Sequence, residues 1–318
     1  MHPPANHRID TIDQFRGFSI IIMVLINYAL GVHTLPAWLK HVPDIGLTFP
    51  DLGSPVFIFA IGLTFGLSFR RRLARDGLSA TYGHFVRRYL CFIGLGAIIS
   101  AGQTLLGLNP VDFEWGVLQA IGCAGLLTLT VILLPAWVRL VIGLGLLAMY
   151  QLLLDALWLQ VVLRSQHGGL PGTLSWAAIL IVATVFGDLY HHEARRKIFP
   201  FASVFCLATG IALALVVPVS KNRVSASYDL ITIGFSAVVF SIFYLTNFKL
   251  DTFSAWGRNP ILLYLLSYLL TGLFVLPPFP VWYAQAPLWL VGLQALFLLL
   301  ILGTLARRWQ KSGFTFSF

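Results

Sequence analysis

HVPDIGLTFPDLGSPVFIFAIG, residues 41–62, runs from a polar segment straight into an apolar one. Continued to residue 69, the apolar part has the roughly 20-residue length that crosses a bilayer as a helix. The polar part places His41, Asp44 and Asp51 between two such helices, where ionisable groups are costly and usually functional. Upstream, RIDTIDQFRGFSIIIMVLINY (8–28) starts with Asp10, Asp13 and Arg16 and becomes an apolar helix holding one amide, Asn27. This hairpin predicts chemistry carried out within a membrane.

The rest of the chain repeats the pattern. Of its 318 residues 58% are hydrophobic and 10% charged, with a mean hydropathy of +0.84, more apolar surface than a water-soluble chain can hide. Ten spans are expected, at 16–35, 50–69, 88–107, 116–135, 139–160, 173–190, 198–217, 229–247, 259–276 and 287–306. An unpaired amide in hydrocarbon costs several kcal/mol, so spanning segments are helices or closed barrels. Continuous apolar runs of this length exclude a barrel. The expected fold is an all-α polytopic bundle forming one transmembrane domain over 1–318.

Lys and Arg collect in cytoplasmic loops. With the amino terminus inside, 17 of the 21 fall on the cytoplasmic side, and only Lys40, Arg164, Lys221 and Arg223 lie outside. Both termini are then cytoplasmic and His41 sits at the exterior end. The net charge of +9 follows from this orientation and from contact with anionic lipid. No soluble basic domain or aromatic platform offers itself to nucleic acid.

Cys91, Cys123 and Cys206 fall in spans without paired spacing, which speaks for small packing residues rather than disulfides or a metal site. His191, His192 and Glu193 look like a metal cluster, but adjacent histidines do not share a helix face. No metal is expected. The amino-terminal segment lacks the short apolar region and cleavage site of a removable signal peptide. No repeat and no paired broken helices of the transporter type stand out.

The cytoplasmic side offers RRRLARDG (70–77), RRY (87–89) and WGRNP (256–260), the last opening the ninth span, where free backbone donors favour an anion. Arg16 and Gly17 hold the matching place at the first span. These positive groups can surround a phosphate-bearing ligand arriving from the cytosol. The exterior loops, among them 33–50, 109–116, 164–173, 218–229 and 277–287, shape an outer vestibule.

Six sequence blocks, in order, carry a family resemblance: IDQFRG ending at Gly17; Asn27 with Tyr28; His41 through Gly62; GVLQAIG (116–122); PVSKN with Ser227 and Tyr228; and Gly257 through Tyr264. The chain resembles the transmembrane N-acetyltransferases typified by heparan-alpha-glucosaminide N-acetyltransferase, including shorter bacterial relatives. The resemblance implies transfer of acetyl from cytosolic acetyl-CoA to the amine of a terminal glucosamine across the membrane, with His41 in the catalytic position and Asn27 lining the reaction centre. It also suggests a homodimer, and a bacterial inner membrane fits the short chain.

The chemistry agrees with these residue types. Amine acetylation needs a base, and histidine is the side chain best poised near neutrality. Asn27 can donate to the thioester carbonyl. Asp51 can fix the imidazole tautomer, hold a substrate ammonium, or simply cap a helix. His33 is the rival base. For the CoA phosphates the expected contacts are Arg16, Arg72, Arg88, Arg258 and Asn259; for the acceptor sugar, Asp44, Lys221, Ser227 and Tyr228. A ternary complex is preferred over an acetyl-histidine intermediate. The alternatives are O-acetylation of an exported glycan and sugar transport.

Overall fold

A computed structural model of the protein describes residues 10–105, 114–246 and 249–316. Arg8 and most of the 109–116 loop lie outside the described residues. The described residues form α-helices α1 (Asp10–Ala29), α2 (Gly53–Asp76), α3 (Leu78–Leu105), α4 (Val117–Val131), α5 (Ala136–Leu153), α6 (Leu159–Val162), α7 (Gly169–His191), α8 (Glu193–Arg196), α9 (Phe199–Leu213), α10 (Ala226–Leu245), α11 (Asp251–Arg258), α12 (Pro260–Val275) and α13 (Leu288–Ser312). A π turn at Leu154–Trp158 carries α5 into α6, and the described residues contain no strand.

Among the described residues seven helices are long and apolar enough to span a membrane. The pair α11 and α12, bent by 89°, makes an eighth, and α4 and α9 are shorter apolar helices. Each of the ten expected spans therefore finds a helix, and the protein is an all-α, multi-pass membrane protein. Several ends differ from expectation. α1 starts at Asp10 and stops at Ala29, so residues 30–35 of the first expected span are not helical although Val32 and Leu35 are buried. Their apolar character serves packing of a loop. α2 and α3 run on beyond their apolar windows through RRRLARD and LSATYGHFVRR, where arginines extend past the apolar core.

The chain divides into two compact units. The first comprises residues 1–41, 48–53 and 239–317; the second comprises 42–47 and 54–238. In the first, α1 packs on α11 and α12, and α13 packs on the same two. Membrane helices associate through close backbone approach at small residues. Gly17 lies against the Phe253 carbonyl, and one turn away Gly257 lies against the Asp13 carbonyl. The pairing runs antiparallel, and a side chain at either glycine would enter backbone. α13 turns Val291, Gln294, Leu298, Leu302 and Ala306 inward at helical spacing.

In the second unit α7 is the central helix, flanked by α4 and α5, with α3 packed on α4. Gly62 of α2 meets Ala183 of α7, and Gly187 meets the Gly62 and Leu63 carbonyls. Asp188 of α7 receives both Arg70 and Arg139, and Arg139, buried to 1% exposure, also donates to Thr184 Oγ1 at 2.5 Å. Arg139, one of the 17 Lys and Arg expected on the cytoplasmic side, is thus a buried ion-pair residue.

Candidate active site

The segment from His33 to Asp51 is short in regular structure and depends on side chains for its shape. A 3₁₀ turn covers Phe49–Leu52, with Thr48 ahead of it and Pro50 inside it. Asp51, 1% exposed, reaches back with Oδ2 to the Thr48 backbone N–H at 2.9 Å. It is the reciprocal half of a capping box, with Thr48 at the N-cap and Asp51 at the third position of the turn, in place of the N-cap role weighed for Asp51. Its other oxygen does the second job: Oδ1 lies 2.6 Å from Nδ1 of His41, whose side chain is 25% exposed. One carboxylate both caps the turn and orients the imidazole. A proton held on Nδ1 by that carboxylate makes Nε2 the basic nitrogen.

The loop bearing His41 is tied to the far end of the same unit. His33 N–H donates to the Ala284 carbonyl at 2.7 Å and Thr34 Oγ1 to the Ala286 carbonyl at 2.6 Å. Lys40 Nζ donates to the His33 carbonyl at 2.7 Å. Below them Tyr28 donates to Gln294 Oε1 at 2.6 Å, Gln294 Nε2 donates to the Trp282 carbonyl at 2.8 Å, and Tyr283 donates to the Tyr28 carbonyl at 2.6 Å. Gly31, Tyr283, Ala284 and the Pro277 to Pro280 segment line an open pocket of about 360 Å³ beside this frame.

Asn27 is half-buried, and its amide nitrogen is enclosed without a well-formed hydrogen bond. The Tyr264 hydroxyl is within its reach, and Tyr264 is linked to the Tyr268 hydroxyl at 3.0 Å. A polar patch thus forms where α1 meets α12. His33, the rival base, is exposed, and its backbone is what the loop uses.

The residues expected to hold phosphates fall in both units. Arg16 lies 3.5 Å from Asp13 in the first, and Arg258 ends α11 at its crossing with α1. Asn259 has its side chain occupied: Oδ1 accepts from Phe316 N–H at 2.6 Å and Nδ2 donates to the Phe314 carbonyl at 3.1 Å. In the second unit Arg72 pairs with Asp76 at 3.0 Å and Arg88 lies over the Phe92 ring at 5.7 Å.

The residues expected at the acceptor are all in the second unit. Asp44 is clasped by Arg223, whose Nε lies 2.7 Å from Oδ1, and it accepts from Ser220 at 3.1 Å. This holds the carboxyl of Asp44 below its usual range, the Arg223 hydrogen bond being the largest cause and burial working against it. Lys221 is buried, as are Ser227 and Tyr228, the latter edge-on to Trp176. Asp229, which the sequence reading passed over, is fully buried with Oδ2 2.8 Å from Ser175. His191 bonds the Leu63 carbonyl at 3.0 Å, and no group of three or more metal-ligating side chains is gathered among the described residues.

A protein-family profile described as heparan-alpha-glucosaminide N-acetyltransferase, catalytic, matches residues 8–225. Heparan-alpha-glucosaminide N-acetyltransferase of Mus musculus is 34% identical over 122 residues, covering 36% of this chain and 18% of the relative. The Homo sapiens protein of that name is 35% identical over 121 residues, covering 36% of this chain and 17% of the relative. Those matches span less than a fifth of either relative, whereas the profile takes in the stretch from the start of α1 through the Asp44–Arg223 clasp. With the oriented His41 inside that matched region, the chain belongs to the family of the heparan-alpha-glucosaminide N-acetyltransferase catalytic domain.

Proposed function

We propose that the protein is a transmembrane acetyltransferase that moves acetyl from cytosolic acetyl-CoA to the amine of glucosamine, or of a glucosamine-containing sugar, on the exterior side of a cell's inner membrane. The observation that carries this reading is the 2.6 Å contact from His41 Nδ1 to the buried Asp51. It is the arrangement of a base held in one tautomer by a carboxylate.

In this reading the acceptor nitrogen attacks the thioester carbonyl carbon, and a C–N bond forms as the C–S bond breaks. His41 Nε2 takes the proton lost by nitrogen and returns it to the departing CoA sulfur. Asn27 donates to the carbonyl oxygen as negative charge gathers there. Asp51 holds the ring in place and offsets the positive charge it acquires. Arg16, Arg72, Arg88 and Arg258 take the phosphates, and the acceptor meets the side bearing Asp44, Lys221, Ser227 and Tyr228. Both termini are cytoplasmic. The membrane's anionic lipids meet the remaining arginines, and the assembly is a homodimer.

The test is acetylation of glucosamine by purified protein with acetyl-CoA. His41→Ala abolishes turnover and leaves CoA binding intact. Full turnover by that variant, or sugar uptake into proteoliposomes without acetyl-CoA, counts against the reading. An acetyl-enzyme isolated without acceptor replaces the ternary complex by a covalent scheme.

A further inference from the structure

The contact between His41 and Asp51 does not stand by itself. The Thr48 hydroxyl lies 2.8 Å from Asp51 Oδ2 and 2.7 Å from the backbone carbonyl of Lys40, the residue preceding His41. The Thr48 backbone N–H also reaches Oδ2, at 2.9 Å. A ring is therefore closed: imidazole to Asp51, Asp51 to Thr48, Thr48 to the Lys40 carbonyl, and Lys40 by its peptide bond back to His41. Thr48 touches both anchors of the base, the carboxylate that grips the ring and the backbone that carries it.

We propose that Thr48 is a positioning residue of the acetyl transfer, one whose hydroxyl fixes the His41 imidazole in register with Asp51. The proposal rests on the reading of His41 as the base.

A plain helix cap explains only part of what is seen. The Phe49–Leu52 turn opens with a capping box in which the Thr48 side chain accepts from the Asp51 backbone N–H and the Asp51 carboxylate accepts from the Thr48 N–H; none of this calls for a contact with the Lys40 carbonyl. The hydroxyl has a different reach. It spans from the turn to the segment eight residues earlier, and so couples the piece that carries the imidazole to the piece that carries its carboxylate. A hydroxyl carries one proton, so it donates to Asp51 or to the Lys40 carbonyl at a given moment. When it donates to the Lys40 carbonyl, the Thr48 N–H still holds Asp51 Oδ2 and the ring stays closed. When it donates to Asp51, it adds a second, charge-assisted bond to the carboxylate that grips the imidazole. Proton transfer is sensitive to displacements well below 1 Å, roughly the slack that a missing link of this kind introduces.

Thr48→Val keeps the β-branched shape and the backbone N–H and removes only the hydroxyl; Thr48→Ser keeps the hydroxyl. With glucosamine and acetyl-CoA, Thr48→Val lowers kcat about tenfold, leaves both KM values within about twofold, and Thr48→Ser restores kcat to within about twofold. A purely structural cap also separates Ser from Val, but in unfolding temperature, with kcat per folded enzyme unchanged or with the loss appearing in KM; that result, or Ser and Val alike in kcat, overturns the proposal.

A second measurement does not depend on turnover. Nitrogen NMR of the His41 ring, assigned by loss of its signals in His41→Asn, shows a single Nδ1–H tautomer in the parent protein and a mixture in Thr48→Val. An unchanged single tautomer in Thr48→Val overturns the proposal. If the parent protein fails to acetylate any amino sugar, the functional reading falls, while the ring measurement still decides whether Thr48 holds the imidazole.

Discussion

Gly257 lies so close to the backbone carbonyl of Asp13 that a methyl group at this position would occupy the carbonyl's own space. The obstacle is main chain in the middle of a helix crossing, so it cannot swing aside as a side chain does. Gly17 faces the Phe253 carbonyl in the same way. Each alanine substitution, Gly17→Ala or Gly257→Ala, therefore costs about 1–3 kcal/mol or more through forced separation of α1 and α11. Gly272→Ala on α12, which meets nothing within 4 Å, changes stability by no more than about 0.5 kcal/mol. Thermal unfolding in detergent checks the contrast, and equal midpoints for Gly257→Ala and Gly272→Ala defeat it.

Asp188 offers a similar contrast between two arginines. Arg139 is buried and Arg70 is exposed, yet both pair with this carboxylate. Asp188→Asn strands a charge at Arg139 and is expected to cost about 3–5 kcal/mol. Arg70→Ala removes a solvated partner and costs less than about 1 kcal/mol. Chemical unfolding of the two variants side by side gives the ratio; a larger loss from Arg70→Ala would reverse the assignment.

Much of this architecture is written locally. Apolar runs announce every spanning helix, because in hydrocarbon the backbone has no option but to pair with itself. The His41–Asp51 pair was also within reach, since ten residues and one turn separate its members. What escaped depends on partners far along the chain. Nothing in FRG or WGRN says that Gly17 and Gly257 cross each other's backbones, and Asp44 meets Arg223 across 179 residues. The end of α1 was misjudged because Val32 and Leu35 are apolar for the sake of a packed loop. Thr48 was passed over because threonine before a turn looks like any cap, and only its second contact, to the Lys40 carbonyl, sets it apart.

The Asp44–Arg223 clasp carries a pH signature. The carboxyl is lowered from its ordinary 3.8, chiefly by the hydrogen bond from Arg223. A carboxyl lowered on folding contributes stability that is fully present above the unfolded value and lost as pH falls through the folded one. The loop pairing of Gly46 N–H with the Val219 carbonyl, 2.8 Å long, thus keeps the clasp's contribution to its exchange protection at neutral pH and loses that contribution only as pH falls below 3.8. Asp44→Asn loses the pH dependence and shows faster exchange at neutral pH. Both partners are partly solvated, so the difference is small and fades in high salt. Exchange of that amide that does not respond to Asp44→Asn removes the basis for the prediction.

Asn27 gives the sharpest separation of stability from function. Its amide nitrogen is enclosed at the α1–α12 contact with the Tyr264 hydroxyl in reach but no well-formed hydrogen bond, and a poorly satisfied buried donor costs up to about 1–3 kcal/mol. Leucine is close in size and has no donor to satisfy. Asn27→Leu is therefore expected to hold or raise the unfolding temperature, whereas an amide kept only for helix packing would lower it. Turnover should move the other way. If Asn27 donates to the thioester oxygen in the transition state, its loss lowers kcat by about a hundredfold with little change in KM. Tyr264→Phe, which removes the hydroxyl within reach of that amide, lowers kcat by a smaller factor, because Asn27 keeps its own donor. An Asn27→Leu protein that is both less stable and fully active would make the residue a packing element and leave the oxyanion without a donor in this site.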